Sequence, residues 1–406
     1  MKLGKRPLGP GPIIAAAFIG PGTVTICTLA GVEFGYDLLW ALGLSIITTS
    51  VLQEMASRIG LISQQGLLEN LKQHLTLPMA KVFSIGLVIL AVVLGNAAYE
   101  AGNITGGTLG LSLLLPLPVY TLGKLTLNAA QLLIGVLAFG FLLSGNMSLI
   151  TKSLTALVVG MSIAFLVAAV MVFPSWTEFG RGFVPTVNGG NILVIVALIG
   201  TTVVPYNLFL HASLVAQKWR NSEDLGILRK DTLIAIVIGG TVSMAIVITG
   251  ASQQGGAVSS AVDMALGLEP LLGKYATYFI AFGLFAAGLT SAMTAPMAAA
   301  LVVCGSFGWD NSIKSMPMRI SMGFIVFLGL LFASLGIKPV QLITLAQVAN
   351  GILLPLVAAY LIWIVNQSEI MGKFQNTKIQ NVIAVTVWII TLLLSAVSVF
   401  RVYSSI

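Results

Sequence analysis

Run after run of this chain is apolar for about the thickness of a bilayer. A lipid core needs about 20 consecutive apolar residues in helical form, and stretches of that length recur between residues 11 and 400. In lipid every backbone N–H and C=O must bond within the protein, so long continuous apolar runs commit the chain to helices. A barrel would instead alternate apolar and polar residues. The composition agrees: 57% of the 406 residues are apolar and 8% charged, with mean hydropathy +1.01, where a soluble domain carries about a quarter charged residues. The expected fold class is an all-α, multi-pass integral membrane protein, with the lipid bilayer as its surroundings.

Eleven spans are expected, at roughly 11–37, 38–56, 80–104, 126–144, 149–172, 190–218, 230–252, 273–304, 316–335, 340–365 and 378–400. Residues 1–406 form a single transmembrane domain. Gln65–His74 reads as an amphipathic helix at the inner surface, and Ala257–Leu268 as a short interfacial one. Lys2, Lys5 and Arg6 precede a segment that continues as a spanning helix, so no cleavable leader is expected. With the N-terminus inside, only Lys124, Arg181, Lys274, Lys338 and Arg401 fall outside, and the other fifteen of the 20 Lys and Arg face the cytoplasm. That asymmetry sets the N-terminus inside and the C-terminus outside, in a cell membrane of bacterial type. The net charge of +7 is thereby assigned to inner loops and not to nucleic-acid binding. Cys27 and Cys304 lie in apolar helices and read as small core residues.

Two spans are interrupted. Gly20-Pro21-Gly22-Thr23 sits about ten residues into the first. Proline removes a donor and clashes with the preceding turn, and glycine lowers the cost of unwinding. Gly200-Thr201-Thr202-Val203-Val204-Pro205-Tyr206-Asn207 repeats the device five spans later. Broken helix in a membrane lines a cavity or is buried in protein. Paired breaks at corresponding positions of two halves point to an inverted-repeat transporter with a site at mid-membrane. A proline kink alone is the plainer reading of either break.

At this point the residues resemble a known family. Gly20-Pro21-Gly22-Thr23 with Gly31-Val32-Glu33-Phe34-Gly35-Tyr36-Asp37-Leu38-Leu39-Trp40, then Leu52-Gln53-Glu54-Met55-Ala56-Ser57-Arg58-Ile59-Gly60, is similar to the NRAMP divalent-metal transporters. So are Pro205-Tyr206-Asn207-Leu208-Phe209-Leu210-His211-Ala212-Ser213 and Leu345-Ala346-Gln347-Val348-Ala349-Asn350 with Leu354-Pro355. The resemblance implies a LeuT-like fold: inverted five-helix repeats at 11–172 and 190–365, helices one and six broken, and an extra helix at 378–400. It implies alternating-access transport of a divalent cation such as Mg²⁺ or Mn²⁺.

The departures fall on the ligands. The family's helix-one Asp and Asn are Gly20 and Thr23 here. Its helix-six Met and His are Val204 and Tyr206. An Asp of helix three is Ala97, while its partner Glu is kept as Glu100. Arg319 stands for a basic partner in helix nine, and Gln347 matches the polar residue of helix ten.

The candidate substrate-binding residues are therefore Gly20, Thr23, Thr201, Val204, Tyr206, Asn207 and Gln347, with Pro21, Gly22 and Pro205 making the breaks. No metal ligand is assigned with certainty. The side chains offered are neutral hydroxyls and amides. Hard cations take oxygen but usually with carboxylates, and a thioether selects transition metals. Helix N-termini at the breaks favour a carboxylate instead. A neutral, zwitterionic or anionic small organic solute, amino-acid-like, is thus an alternative cargo. A non-transporting binder or sensor is a second alternative. Glu100, His211 and Arg319 mark a candidate route for a proton or coupling ion, since intramembrane carboxylates are costly and by default functional. A structural hydrogen bond for Glu100, and a satisfied core site for His211, are the plainer readings. Glu33, Asp37 and Glu54 read as interfacial or paired. Met293 and Met297 read as core. No nucleotide loop, nucleophile–base pair or cofactor motif occurs, so an enzyme is not expected.

Overall fold

The computed structural model describes residues 9–75, 77–123, 125–252, 269, 273 and 275–404. Helices make up nearly all of it. The first apolar segment is two helices, α1 (Gly11–Phe18) and α2 (Pro21–Phe34), bent by 49°. They are followed by α3 (Leu39–Ser63), α4 (Leu67–His74) and α5 (Pro78–Leu114). After a hairpin come α6 (Ala129–Leu143), α7 (Met147–Met171) and the short outer helix α8 (Trp176–Arg181). The sixth apolar segment is again two helices, α9 (Ile192–Thr202) and α10 (Pro205–Lys218), separated by Val203 and Val204. The chain continues through α11 (Leu225–Ala251), α12 (Tyr275–Phe307), α13 (Met316–Ala333), α14 (Pro339–Val365), α15 (Ser368–Met371) and α16 (Lys378–Ser404).

Each of the eleven expected spans contains helix. Among the described residues eight helical segments, α9 with α10 counted as one, are long and apolar enough to cross a membrane, or up to ten if the bent pairs α1 with α2 and Leu353–Val365 with Ser368–Phe374 are each one span; α6 is a shorter apolar helix. Its shortness has a local cause. Val119–Leu122 (β1) and Leu125–Asn128 (β2) form an antiparallel hairpin, which takes residues that the sequence reading gave to the fourth span. Gly123 turns it at φ 62°, Thr126 N donates to Ser334 O at 2.8 Å, and the Asn128 side chain caps α6. The third span is longer than expected, since glycine is well tolerated in membrane helices and α5 runs on through Gly106, Gly107 and Gly110. The amphipathic helix expected at Gln65–His74 is α4. The one expected at Ala257–Leu268 lies outside the described residues.

α5 and α12 form the most extensive interface, and α12 is almost wholly buried. Around this pair α2 packs on α11, α10 on α3, and α14 on α16. Side chains facing outward are apolar, Val136, Ile163 and Val170 among them, as lipid contact requires. The first break is seated on the central pair. Gly106 of α5 leaves a notch for the Pro21 ring, which a Cβ there would overlap. Small residues let membrane helices approach this closely.

Candidate functional site

The two breaks meet at two hydroxyls. Gly20 precedes α2 in extended backbone, φ −93° and ψ 176°, and Pro21 is its first residue. The Thr23 hydroxyl donates to Phe18 O, a carbonyl at the end of α1, at 2.6 Å. Its oxygen lies 2.7 Å from that of Thr201, near the end of α9. Because Thr23 gives its one proton to Phe18, Thr201 is the donor in this pair. Thr202 folds back onto Leu198 O at 3.1 Å. Thr23 and Thr201, both buried, thus tie the first broken helix to the second.

A second group stands against Gly20. A Cβ at Gly20 would lie 2.6 Å from Ser291 Oγ of α12 and 3.3 Å from the Tyr99 hydroxyl of α5. The Tyr99 and Tyr206 rings meet edge to face with centroids 5.3 Å apart. Four elements therefore converge where the family resemblance places a carboxylate. Hydroxyls fill that space here. Val204 precedes α10 and is buried, offering no polar group. Asn207 has no exposed surface, and neither its amide oxygen nor its nitrogen has a partner; Ser291 Oγ has none either. Buried polar groups without partners are rare and call for an explanation. A ligand that enters when the site opens would supply one.

The site is closed in this state. The cavity beside it, lined by Asn96, Pro205, Tyr206 and Leu353 among others, measures about 10 Å³, near the lower limit for one water. Larger cavities lie elsewhere, one of about 480 Å³ beside the start of α1. There Lys218 donates to Gly9 O at 3.5 Å, and in a neighbouring cavity Asp231 of α11 accepts from Gly11 N at 2.9 Å.

The remaining candidates divide. Glu100 is buried on α5; its Oε2 accepts from Asn103 Nδ2 at 3.2 Å and its Oε1 has no partner. Gly329 of α13 packs directly on its side chain. Arg319 of the same helix is ten residues away, roughly 15 Å along the axis, and donates to Leu143 O at 3.3 Å. The structure does not bring it to Glu100. His211, one turn below Asn207, holds Gln53 Oε1 through Nδ1 at 2.7 Å. Gln347 is on α14, and its side chain lies outside the described ones. Glu33 and Asp37 are exposed, and Glu54 pairs with Arg58 and Arg229 at 3.0 and 2.8 Å. Cys27, Cys304, Met293 and Met297 are buried in the core. Among the described residues, no three His, Cys, Asp or Glu side chains gather as a metal site. Sequence reasoning missed Ser291, Tyr99, Asn103 and the Gln53 contact. Ser291 carried a faint signal, a small hydroxyl beside Thr290 and Thr294 in an otherwise apolar span.

The comparisons with known proteins agree with this architecture. The divalent metal cation transporter MntH of Clostridium acetobutylicum is 27% identical over 411 residues, covering 98% of this chain and 91% of its own. MntH of Staphylococcus saprophyticus is 28% identical over 420 residues, with coverages of 97% and 90%. Among solved structures, the manganese transporter of Eremococcus coleocola superposes with TM-score 0.78 at 20% identity, covering 96% of this chain and 85% of that one. The nucleobase-cation-symport-1 transporter Mhp1, with bromovinylhydantoin bound, gives 0.60 at 14% identity, with coverages of 99% and 94%. The profile described as natural resistance-associated macrophage protein-like matches residues 11–401. Its fold LeuT-like and its two broken helices joined at Thr23 and Thr201, this chain belongs to the Nramp family.

Proposed function

We propose that this protein is a secondary transporter that carries a divalent cation across the cell membrane by alternating access. The reading rests on the meeting of the two helix breaks at the Thr23–Thr201 hydrogen bond, where a small displacement of one half against the other opens or closes the centre. The relatives named divalent metal cation transporters support the cargo. Residues 11–172 and 190–365 act as the two inverted repeats, with 378–400 an added helix, the N-terminus in the cytoplasm and the C-terminus outside. The chain works on its cargo without chemistry.

Cargo binding replaces the internal hydroxyl pair. Thr23, Thr201, Asn207 and Gln347, with carbonyls freed at the breaks, supply neutral oxygens, while Gly20, Val204 and Tyr206 shape the walls. A divalent ion dehydrates at high cost without a carboxylate, so here it keeps part of its water shell, as Mg²⁺ and Mn²⁺ can. Glu100 carries the coupling proton, which its burial and unpaired Oε1 favour, and His211 lies on the same route.

One observation favours a second cargo, a small organic solute with a carboxylate. Ser291 Oγ is buried without a partner beside the start of α2, and a hydroxyl at a helix N-terminus suits an anion. Uptake of Mn²⁺ and Mg²⁺ into sealed proteoliposomes holding a metal-sensitive dye separates the readings. Saturable entry above protein-free vesicles supports the cation. No entry by folded protein overturns it, and thermal-shift screening of amino acids and small carboxylates follows. Ligand binding without uptake of anything would make the protein a sensor on a transporter scaffold.

A further inference from the structure

We infer that the ends of α3, α11 and α16 that share a basic surface form a seat for the phosphate of an anionic phospholipid. A cavity of about 260 Å³ opens there, lined by Ser50, Glu54, Arg58, Arg229, Asn376 and Gln380 together with apolar side chains. Two arginines share one carboxylate: Arg58 Nη2 and Arg229 Nε donate to Glu54 at 3.0 and 2.8 Å. One positive charge is left over. Arg58 is held rigidly. It is 2% exposed, and also donates to Phe374 O at 2.7 Å and Asn376 Oδ1 at 2.6 Å. Its Nε is buried without a partner. Arg229 is 45% exposed, and among the described residues its hydrogen bonding is confined to the Nε contact with Glu54. A guanidinium fork with free edges beside a fixed one matches phosphate geometry.

The cavity's other wall identifies what carries the phosphate. Val51, Met55 and Ile383 line it, and Ile47, Ile379 and Val382 stand exposed on the same two helices, α3 and α16. A free anion gains nothing from this face, whereas acyl chains lie along it. Basic pockets between membrane helices on the cytoplasmic side bind anionic head groups. The count of basic residues assigns Arg58 and Arg229 to that side. Lys230 on α11, Lys378 at the start of α16 and Lys373 in the turn that leads to it add to the field. A lipid so placed braces α16 against α3 and α11.

The test uses the purified full chain in detergent, with thermal unfolding followed as phosphatidylglycerol, phosphatidylcholine or glycerol phosphate is added. Phosphatidylglycerol should raise the midpoint, and the other two should not. Arg229→Gln keeps a donor for Glu54 and removes the charge; it should weaken the apparent lipid affinity by about fivefold, the effect of one basic group near a lipid head group. Ile383→Trp fills the apolar side without touching the arginines and should abolish the shift while leaving the lipid-free midpoint unchanged. Equal shifts from both lipids, a full shift from glycerol phosphate, or an undiminished shift in either variant overturns the proposal. If Arg229→Gln does not fold, Ile383→Trp and lipid retention by the wild type in native mass spectrometry decide it. Retention of phosphatidylglycerol over phosphatidylcholine supports the seat, and equal retention refutes it.

Discussion

Thr23 and Thr201 have one proton each, and the structure assigns both: Thr23 to Phe18 O, Thr201 to Thr23. Thr201→Val leaves a buried oxygen with one bond fewer and should cost about 1 kcal/mol of stability, read by thermal unfolding. A double-mutant cycle with Thr23→Val should return a coupling of similar size, and additivity would show that the pair is not bonded in solution. Gly20 carries a second residue-level prediction. Gly20→Asp alone places a Cβ 2.6 Å from Ser291 Oγ, so it should destabilise without creating a metal site. Combined with Ser291→Gly, Thr23→Asn and Val204→Met, it should raise Mn²⁺ affinity in a calorimetric titration. No gain in that quadruple variant counts against the mapping of the site. Glu100→Gln should abolish proton flux accompanying transport and leave the fold intact. Unchanged flux removes Glu100 from the route. The sequence made the breaks legible because proline and glycine act locally. Ser291 and Tyr99 were not legible as their neighbours, because contact between α12, α5 and Gly20 is created by packing that leaves no local pattern.

Among the elements, α4 shows how a short helix is fixed at the membrane surface. Leu67, Leu68 and Leu71 are buried, and Lys72 Nζ donates to Ser306 O of α12 at 2.9 Å. Glu69 lies against Gly305, where a Cβ would come within 2.6 Å of its carboxylate. Burial raises the Glu69 carboxyl above its ordinary value of 4.5, opposed by its own backbone N–H and by Lys72. A raised carboxyl binds its proton more tightly folded than unfolded. Its stabilising contribution is therefore complete below pH 4.5 and is lost as pH rises through the folded value. Thermal midpoints should fall across that window in the wild type, and Glu69→Gln should flatten the fall. A wild-type profile with no slope there would refute the assignment. The leucine spacing made α4 readable in advance, with its start two residues early and its end at His74. The hairpin at Val119–Asn128 was not readable, because four-residue strands beside an apolar span merge into its hydropathy.

At the scale of the whole molecule, the proposed orientation, N-terminus inside, predicts which loops a reagent outside the cell can reach. Cys27 and Cys304 are buried, so single cysteines introduced at exposed sites report cleanly. In intact cells a membrane-impermeant thiol reagent should label Arg181→Cys and should reach Lys314→Cys only after permeabilisation. The reverse pattern would invert the topology. The general arrangement of spans was legible because lipid leaves helices as the only solution for long apolar runs; the closure of the centre to a void of about 10 Å³ was not, because it depends on how α5, α10 and α14 meet. The hydroxyl bridge between the breaks has an electrical consequence. Moving one elementary charge through the membrane potential is worth about 2.3 kcal/mol per 100 mV. Thr23 and Thr201 are uncharged, so parting or rejoining them moves no gating charge. Any voltage dependence of the cycle then comes from groups other than this pair, the cargo's own charge among them.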